Sequence, residues 1–232
     1  WGLSSSGGDS SSVSSDLSSG VTHIFSCSSA FAALKSDGSV VTWGHSDYGG
    51  DSSSVSSELS SGVVEVFTTR GAEVFSNGAS FAALKSDGSV ITWGHSDYGS
   101  DSSSVSSDLS SGVTQTFSTI RAFAALKSDG SVVTWGNSDY GGDSSSVSSD
   151  LSFGVTQIFS PSFAFAALKS DGSVVTWGNS DYGGDSSSVS SDLSSGVAQI
   201  FSHSTVFVAI KSDGSVVTWG NSDLGGDSSS VS

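Results

Sequence analysis

The chain has 232 residues, of which 35% are hydrophobic, and a formal net charge of −16 with a sequence pI near 4.1. This negative charge disfavours nucleic acid and anionic membrane surfaces as partners, because their phosphate groups would repel it. No apolar run reaches the roughly 18 residues needed to cross a bilayer, so we predict no membrane insertion. The sequence starts at Trp1 without Met, and we expect a processed product or an excerpt of a longer chain.

Tryptophan recurs at a nearly fixed spacing along the chain. It occupies positions 1, 43, 93, 135, 177 and 219, at intervals of 42, 50, 42, 42 and 42 residues. A period of this length indicates a repeat architecture, in which a small unit buries its apolar face only against its neighbours. We predict a single repeat domain over 1–232, with units 1–42, 43–92, 93–134, 135–176, 177–218 and a partial unit 219–232.

Each unit contains a serine-rich acidic tract, such as residues 101–112, which holds at most a single helical turn at Ser-Val-Ser-Ser-Asp-Leu. A short strand follows, such as residues 113–117. A segment that differs between units comes next. After it stands a hairpin in which Asp-Gly separates two apolar runs, as at Asp129-Gly130. Asp-Gly is typical of a type I′ turn, whose two central residues have positive φ. The other pairs are Asp37-Gly38, Asp87-Gly88, Asp171-Gly172 and Asp213-Gly214.

Three strands per unit, separated by turns, predict an all-β fold. The arrangement that best protects small sheets with few exposed edges is a β-propeller with about 42-residue blades of three to four strands. A β-solenoid is the alternative. We expect the propeller to close into a ring, because an open arc exposes sheet edges. The alternative is that the chain is an arc of a larger array. Residues 219–232 repeat the phase of residues 1–14, so a closed five-blade ring would contain about one surplus strand.

The motif Gly-Val-x-x-Ile/Thr-Phe followed by Ala-Leu-Lys-Ser-Asp-Gly-Ser-Val-Val-Thr-Trp-Gly resembles the regulator-of-chromosome-condensation repeat. It is most similar to the short-blade bacterial form of that family, as in the propeller-type β-lactamase inhibitor protein. The resemblance covers about 25 of the 42 positions in every unit. It implies a β-propeller, usually of seven blades, whereas this chain has five hairpins. It implies no particular activity, because a fold does not fix a function.

The differences between units concentrate between the first strand and the Ala-Leu strand. The units read Cys27-Ser28-Ser29, Thr119-Ile120-Arg121, Pro161-Ser162-Phe163 and His203-Ser204-Thr205 there, and the second unit has a longer loop over 68–80. Arginine and aromatic side chains dominate binding hot spots, and functional residues concentrate on loops. Neutral drift in exposed loops would give the same pattern. The predicted binding residues are Arg70, Ile120, Arg121, Pro161, Phe163 and His203.

Little in the sequence points to catalysis or to a bound metal. The serines lack a Gly-x-Ser-x-Gly turn and an Asp–His relay, so we predict no enzyme activity. Cys27 stands alone and is expected to be a small side chain in a loop. His45 and His95 are replaced by asparagine in later units, which favours a turn-capping role. The repeated tryptophans and tyrosines could stack on sugars, but their fixed phase favours a place in the blade core.

The acidic turns Asp-Tyr-Gly-Gly-Asp could supply oxygen ligands to calcium, although aspartate and glycine are also ordinary turn residues. The candidate ligands are Asp47, Asp51, Asp97, Asp101, Asp139, Asp143, Asp181 and Asp185. No other cofactor is predicted.

The sequence therefore predicts a non-catalytic binding or adhesion module at the cell surface or outside the cell. Its partner would be a protein or a surface polysaccharide. One alternative is a self-associating structural array whose acidic turns bind calcium. The other, from the resemblance, is an enzyme inhibitor.

Overall fold

The structure is a computed structural model that describes residues 3–68 and 78–227. In these ranges it contains fifteen strands, grouped into five antiparallel sheets of three strands that follow one another in the sequence. This confirms the all-β architecture of propeller blades. The strands are β1 Val21–Ser26, β2 Ala30–Lys35, β3 Val40–Gly44, β4 Val63–Thr68, β5 Ser80–Lys85, β6 Val90–Gly94, β7 Val113–Ser118, β8 Ala122–Lys127, β9 Val132–Gly136, β10 Val155–Phe159, β11 Ala164–Lys169, β12 Val174–Gly178, β13 Val197–His203, β14 Val206–Lys211 and β15 Val216–Gly220.

The serine-rich tracts form short 3₁₀ turns, and one of them adds a single turn of α-helix, α1 (Ser190–Leu193). Their hydroxyl groups bond the backbone three residues earlier, as Ser110 Oγ does to Ser107 O at 2.7 Å. Such local bonds compete with longer helices. The 3₁₀ segments are Ser4–Ser6, Ser11–Val13, Asp16–Ser18, Ser46–Tyr48, Ser53–Val55, Glu58–Ser60, Ser96–Tyr98, Ser103–Val105, Asp108–Ser110, Ser138–Tyr140, Ser145–Val147, Ser180–Tyr182, Ser187–Val189 and Ser222–Leu224.

All five predicted hairpins are present, but their turn type differs from the type I′ prediction. In the first hairpin Gly38 N donates to Lys35 O at 2.9 Å and Lys35 N donates to Ser39 O at 2.9 Å, which makes a three-residue loop. Only the glycine has positive φ, at 78° for Gly38, whereas Asp37 does not. The aspartate acts instead through its carboxylate, which accepts bonds from Ser39 N at 2.9 Å and Ser39 Oγ at 2.6 Å.

The tryptophans lie in the core of the blades, as predicted, with exposed fractions between 1% and 8% for the five that the structure describes. Each stacks on the phenylalanine opposite it on the middle strand, as Trp135 does on Phe123 with ring centroids 5.3 Å apart. Each indole Nε1 also donates to a glycine carbonyl of the preceding unit, as Trp135 does to Gly99 O at 3.0 Å. A single side chain therefore joins two neighbouring blades.

Neighbouring sheets pack through one apolar junction that recurs four times. In the junction between the last two sheets, Leu193, Val197 and Ile200 of the later unit are buried against the middle strand of the earlier one. That strand offers small side chains, Ala164 and Ala166, which let the sheets approach closely. The Asp-Gly turns also touch across the junction, because a Cβ on Gly172 would lie 2.8 Å from Gly196 N.

The expected ring closure is not observed among the described residues. The apolar side chains that fill each internal junction are exposed at the two ends of the array, at Ile24 (60%) in the first sheet and at Val216 (56%) in the last. The corresponding side chain to Ile24 in the later sheets is 2% to 5% exposed. The five sheets therefore form an open array.

Candidate recognition surface

The variable segments all lie at one end of the sheets, between the first and second strand of each. Pairing of Ala30 with Gly44 places the turn that follows the third strand at this same end, and the Asp-Gly turns lie at the opposite end. Backbone bonds connect successive variable segments. Ile120 N donates to Ser162 O at 3.0 Å, and Ser162 N donates to Ser204 O at 2.9 Å. The segments therefore form one continuous surface, which we call the variable face.

The three positions of a variable segment have different environments. The first is buried at Cys27, Thr119 and Pro161 and exposed only at His203, in the last sheet. The Thr119 hydroxyl bonds Tyr140 O at 2.9 Å, so this position supports the turn behind it. Pro161, which we predicted to be a binding residue, is correspondingly part of the support. Ile120, at the second position, is half-buried. Arg70 lies outside the described residues.

In two of the segments, the side chain at the third position inserts between tyrosines of two neighbouring units. The Arg121 guanidinium carbon lies 4.8 Å from the ring centre of Tyr98 and 5.2 Å from that of Tyr140. In the next unit Phe163 takes the same place, with its ring centre 5.6 Å from Tyr140 and 4.5 Å from Tyr182. A cation is attracted to the face of an aromatic ring at these distances. Two predicted binding residues, Arg121 and Phe163, thus lie in one stack of side chains with the tyrosines.

This stack of side chains continues into the second unit through two histidines. His45 meets Tyr48 at 4.9 Å, Tyr48 meets His95 at 6.0 Å, and His95 meets Tyr98 at 5.4 Å between ring centres. All these side chains are half-buried, so part of each faces solvent. We call this set the tyrosine row. It comprises His45, Tyr48, His95, Tyr98, Arg121, Tyr140, Phe163 and Tyr182.

The sequence raised the tyrosines as a sugar-stacking surface, but they were not among the predicted binding residues because their fixed phase favoured a core position. The signal that could have found them is the contrast within the row, where identical tyrosines flank side chains that differ from unit to unit. Ring faces and one guanidinium suit non-covalent contacts with apolar or planar groups. In the described part of the chain, no carboxylate forms an ion pair with Arg121.

The two histidines of the row also cap turns, as the sequence predicted. His45 Nδ1 and His95 Nδ1 each accept a bond from the backbone N–H two residues later, at 3.3 Å. Asn137 Oδ1 makes the same bond at 3.0 Å in a later unit. The cap is therefore kept in the later units, where asparagine replaces the histidine ring.

The candidate calcium ligands are spread over separate turns. Asp51 Oδ1 accepts the Ser53 N–H at 2.9 Å, and Asp101, Asp143 and Asp185 accept the equivalent N–H groups. Hydrogen bonding to the serine two residues later lowers the pKa of all four carboxyl groups, mainly through the serine side chain at Asp101 and through the backbone N–H at the other three. Within residues 3–68 and 78–227, no group of three or more His, Cys, Asp or Glu side chains is placed to hold a metal ion. The geometry gives these four aspartates a role as turn caps. The other four candidates donate their backbone N–H groups to the preceding histidine or asparagine side chains, and they are Asp47, Asp97, Asp139 and Asp181.

Cys27 is a buried side chain in the first variable segment. Its Sγ lies 3.1 Å from Tyr48 O, to which the thiol donates, and burial raises the pKa of the thiol. A thiol with a raised pKa is a weak nucleophile, because the thiolate is the reactive form. The expected role as a small loop side chain is consistent with this environment.

The fold is similar to several solved structures. Human WBSCR16 matches with a TM-score of 0.51 and 19% identity, over 86% of this chain and 61% of that one. Yeast RCC1 (Prp20), in its complex with Kap60, matches with a TM-score of 0.49 and 18% identity, over 86% and 56%. The ectodomain of the Physcomitrella patens receptor kinase CR4 has a TM-score of 0.46 and 12% identity, over 87% and 50%.

No protein-family model matches the chain, and no curated protein matches it in sequence. No helix in the described ranges is long and apolar enough to span a membrane. The chain spans less than two thirds of the length of each of these three structures, and sequence identities below 25% show similarity of fold alone. The comparisons support the regulator-of-chromosome-condensation-like repeat fold that the sequence resemblance implies.

Proposed function

We propose that this protein is a non-catalytic β-propeller module that binds a protein partner through the tyrosine row. One observation carries the proposal: Arg121 and Phe163 differ chemically but occupy the same place between tyrosines that do not change. In such an arrangement the constant tyrosines would provide binding affinity, and the side chains that differ between them would provide specificity. Tyrosine rings supply contact area at a low cost in conformational entropy, and the inserts select the partner.

The charge of the chain favours a basic partner surface around the contact. A net charge of −16 attracts positively charged proteins over distances comparable to the Debye length of about 8 Å at physiological salt. The same charge supports solubility in a salty or cation-rich medium, and we include in the proposal a location at the cell surface or outside the cell.

Two narrower functions use the same surface. An enzyme inhibitor would have a hydrolase as its partner and would bind it in a 1:1 complex. A polysaccharide-binding module is favoured by one specific observation, the half-buried tyrosines at Tyr98, Tyr140 and Tyr182, whose ring faces could stack on sugars. Both place Arg121 and Phe163 in contact with the ligand.

The proposal is tested by comparing the original protein with a row variant, Arg121→Ser combined with Phe163→Ser. Each is immobilised and exposed to a whole-cell extract and to an array of purified polysaccharides. The matched control is Phe153→Ser, because Phe153 is 65% exposed and contacts Lys169 rather than the row. Equal melting temperatures for the three proteins ensure that any difference in binding is not caused by misfolding.

We expect the original and the Phe153 variant to capture the same proteins, and the row variant to lose them. Capture of polysaccharides alone, lost in the row variant, would replace the protein partner with a glycan. Equal capture by all three proteins would refute a recognition role for the row and would leave the variation between units as drift.

A further inference from the structure

The third strand of the fourth sheet has one open edge. β12 pairs with β11 on one side, and no strand in the described ranges pairs with its other edge. Lys169 N donates to Ser173 O at 2.9 Å, directly before this strand pair. Because hydrogen bonds join alternate residues of an antiparallel pair, the backbone groups of Val174 and Thr176 point away from β11. Neither residue has a backbone hydrogen bond on that outer side within the part of the chain that the structure describes.

A groove runs along this open edge and encloses about 580 Å³. All five residues of β12 line it, together with Ser146 and Asp150 of one serine-rich tract and Ser190 and Ser194 of the next. We call it the β12 groove. Binding clefts enclose about 300–1,000 Å³, and five residues of a strand span about 17 Å. The β12 groove is therefore large enough for a short extended segment that lies beside β12.

The preceding sheet shows what kind of group this edge accepts. Val132, which has the same place in β9 as Val174 in β12, donates its N–H to Leu151 O of the following serine-rich tract at 2.9 Å. The groove beside β9 is smaller, at about 470 Å³, and β9 lines it only over residues 134–136. Val174 makes no such bond within the described ranges. The edge of β12 is therefore open where the edge of β9 is paired with a backbone carbonyl.

The charged side chains of the β12 groove are mostly acidic. Asp143, Asp150 and Asp185 line it and are exposed to solvent. The one cation among the described lining residues is Lys169, whose Nζ already donates to Asp150 O at 2.8 Å. Three carboxylates and one ammonium group leave a local charge of −2, in a chain whose net charge is −16. A segment with lysine or arginine side chains therefore matches the groove better than an acidic one.

We propose that the β12 groove binds an extended, basic peptide segment of a partner protein, which adds a fourth strand to this sheet. In strand addition, main-chain hydrogen bonds give affinity and the alternating side chains give specificity. The outward backbone groups of Val174 and Thr176 supply the hydrogen bonds, and the three aspartates attract the basic side chains. No residue of the tyrosine row lines the β12 groove. The two sites are therefore separate, and this proposal does not rest on the proposed function.

The test is fluorescence anisotropy of labelled seven-residue peptides titrated with the full chain. The probe peptide alternates lysine and valine and has capped ends, and its charge control replaces every lysine with glutamate. Two further peptides are methylated on the backbone nitrogen of every valine or of every lysine. Each methylated peptide lacks the N–H donors of one of its two edges, and a strand in the groove uses only one edge.

Two variants of the protein locate the binding. Ser146→Trp fills the groove, because Ser146 lines it, is exposed and has no side-chain hydrogen bond within the described ranges. The matched control is Ser148→Trp, in the same serine-rich tract, because Ser148 is exposed and does not line the groove. Equal melting temperatures show that both variants fold like the original. The row variant, Arg121→Ser with Phe163→Ser, should bind the probe peptide like the original, so the two proposals can fail separately.

We expect the lysine peptide to bind the original and Ser148→Trp equally, and Ser146→Trp with a dissociation constant raised roughly 10-fold or more. The glutamate peptide should not bind, and only one of the two methylated peptides should bind like the unmethylated probe. Equal affinities of the two methylated peptides would overturn strand addition. Equal binding of the probe by Ser146→Trp and Ser148→Trp, or no binding of the probe at all, would overturn the proposal. Binding of a neutral oligosaccharide such as maltoheptaose in place of the peptide, lost in Ser146→Trp, would make the groove a glycan site and overturn it as well.

Discussion

Replacing Thr116 with valine should stabilise the protein, although it removes a polar group. Thr116 lies in β7 with 3% of its surface exposed, and its hydroxyl has no hydrogen-bond partner among the described residues. The four other sheets place an aliphatic residue at this position, at Ile24, Val66, Ile158 and Ile200. The hydroxyl therefore sits in a junction that is otherwise apolar.

The size of the effect follows from the cost of burying an unpaired hydroxyl group. Mutational data place this cost at about 1–3 kcal/mol. Valine has nearly the same shape as threonine, so the substitution opens no cavity and forces no overpacking. We expect the free energy of unfolding to rise by about 1–2 kcal/mol. In a chain of this length that corresponds to a melting temperature about 2–8 °C higher.

The assay is urea-induced unfolding monitored by tryptophan fluorescence, with Thr119→Val as the matched substitution. Thr119 is fully buried, but its hydroxyl donates to Tyr140 O at 2.9 Å and accepts from Ala122 N at 3.1 Å. Valine at this position leaves Tyr140 O and Ala122 N without their hydrogen bonds, and we expect the free energy of unfolding to fall by about 1–3 kcal/mol. The same chemical change thus has opposite effects at two buried sites. Two midpoints that shift in the same direction would refute the reasoning.

Two further substitutions test the junctions and the turns. Gly172→Ala should destabilise the protein by about 2 kcal/mol more than Gly214→Ala. Both glycines have positive φ, but only at Gly172 would the new Cβ meet backbone, at 2.8 Å from Gly196 N. Equal melting temperatures would contradict the packing of the Gly172 turn against the next unit. Bonds from Ser131 hold the pKa of Asp129 below its usual value. This stabilisation is present above the unfolded-state pKa of about 3.9 and is lost as pH falls through the lower folded-state pKa. The melting-temperature advantage over Asp129→Asn should therefore disappear at low pH, and an advantage that persists at pH 2 would contradict it.

The sequence predicts the blades well because their signals are local and are repeated five times. Each Asp-Gly pair lies between two apolar runs, and each tryptophan has the same phase, so pattern and spacing agree. The turn type was wrong because Asp-Gly also suits a three-residue loop. In that loop Gly38 alone takes positive φ, and Asp37 contributes its carboxylate as an acceptor for Ser39. Sequence spacing alone does not distinguish these two loops.

The tyrosine row could not be predicted in the same way, because it depends on contacts between units. Tyr98 precedes Arg121 by one strand and Tyr140 follows it by two, so only the stacking of neighbouring sheets brings the three together. The prediction that Arg121 and Phe163 share a surface came from their variability. Only the structure shows that the same surface also contains Tyr98, Tyr140 and Tyr182.

The open ends show why a repeated sequence cannot reveal how its array terminates. Ile24 and Ile200 are the same residue at the same phase, but their exposed fractions are 60% and 5%. The difference arises from the presence or absence of a neighbouring sheet. Since each unit buries its apolar side only by meeting another, an array of such units always has two unsatisfied faces unless it closes.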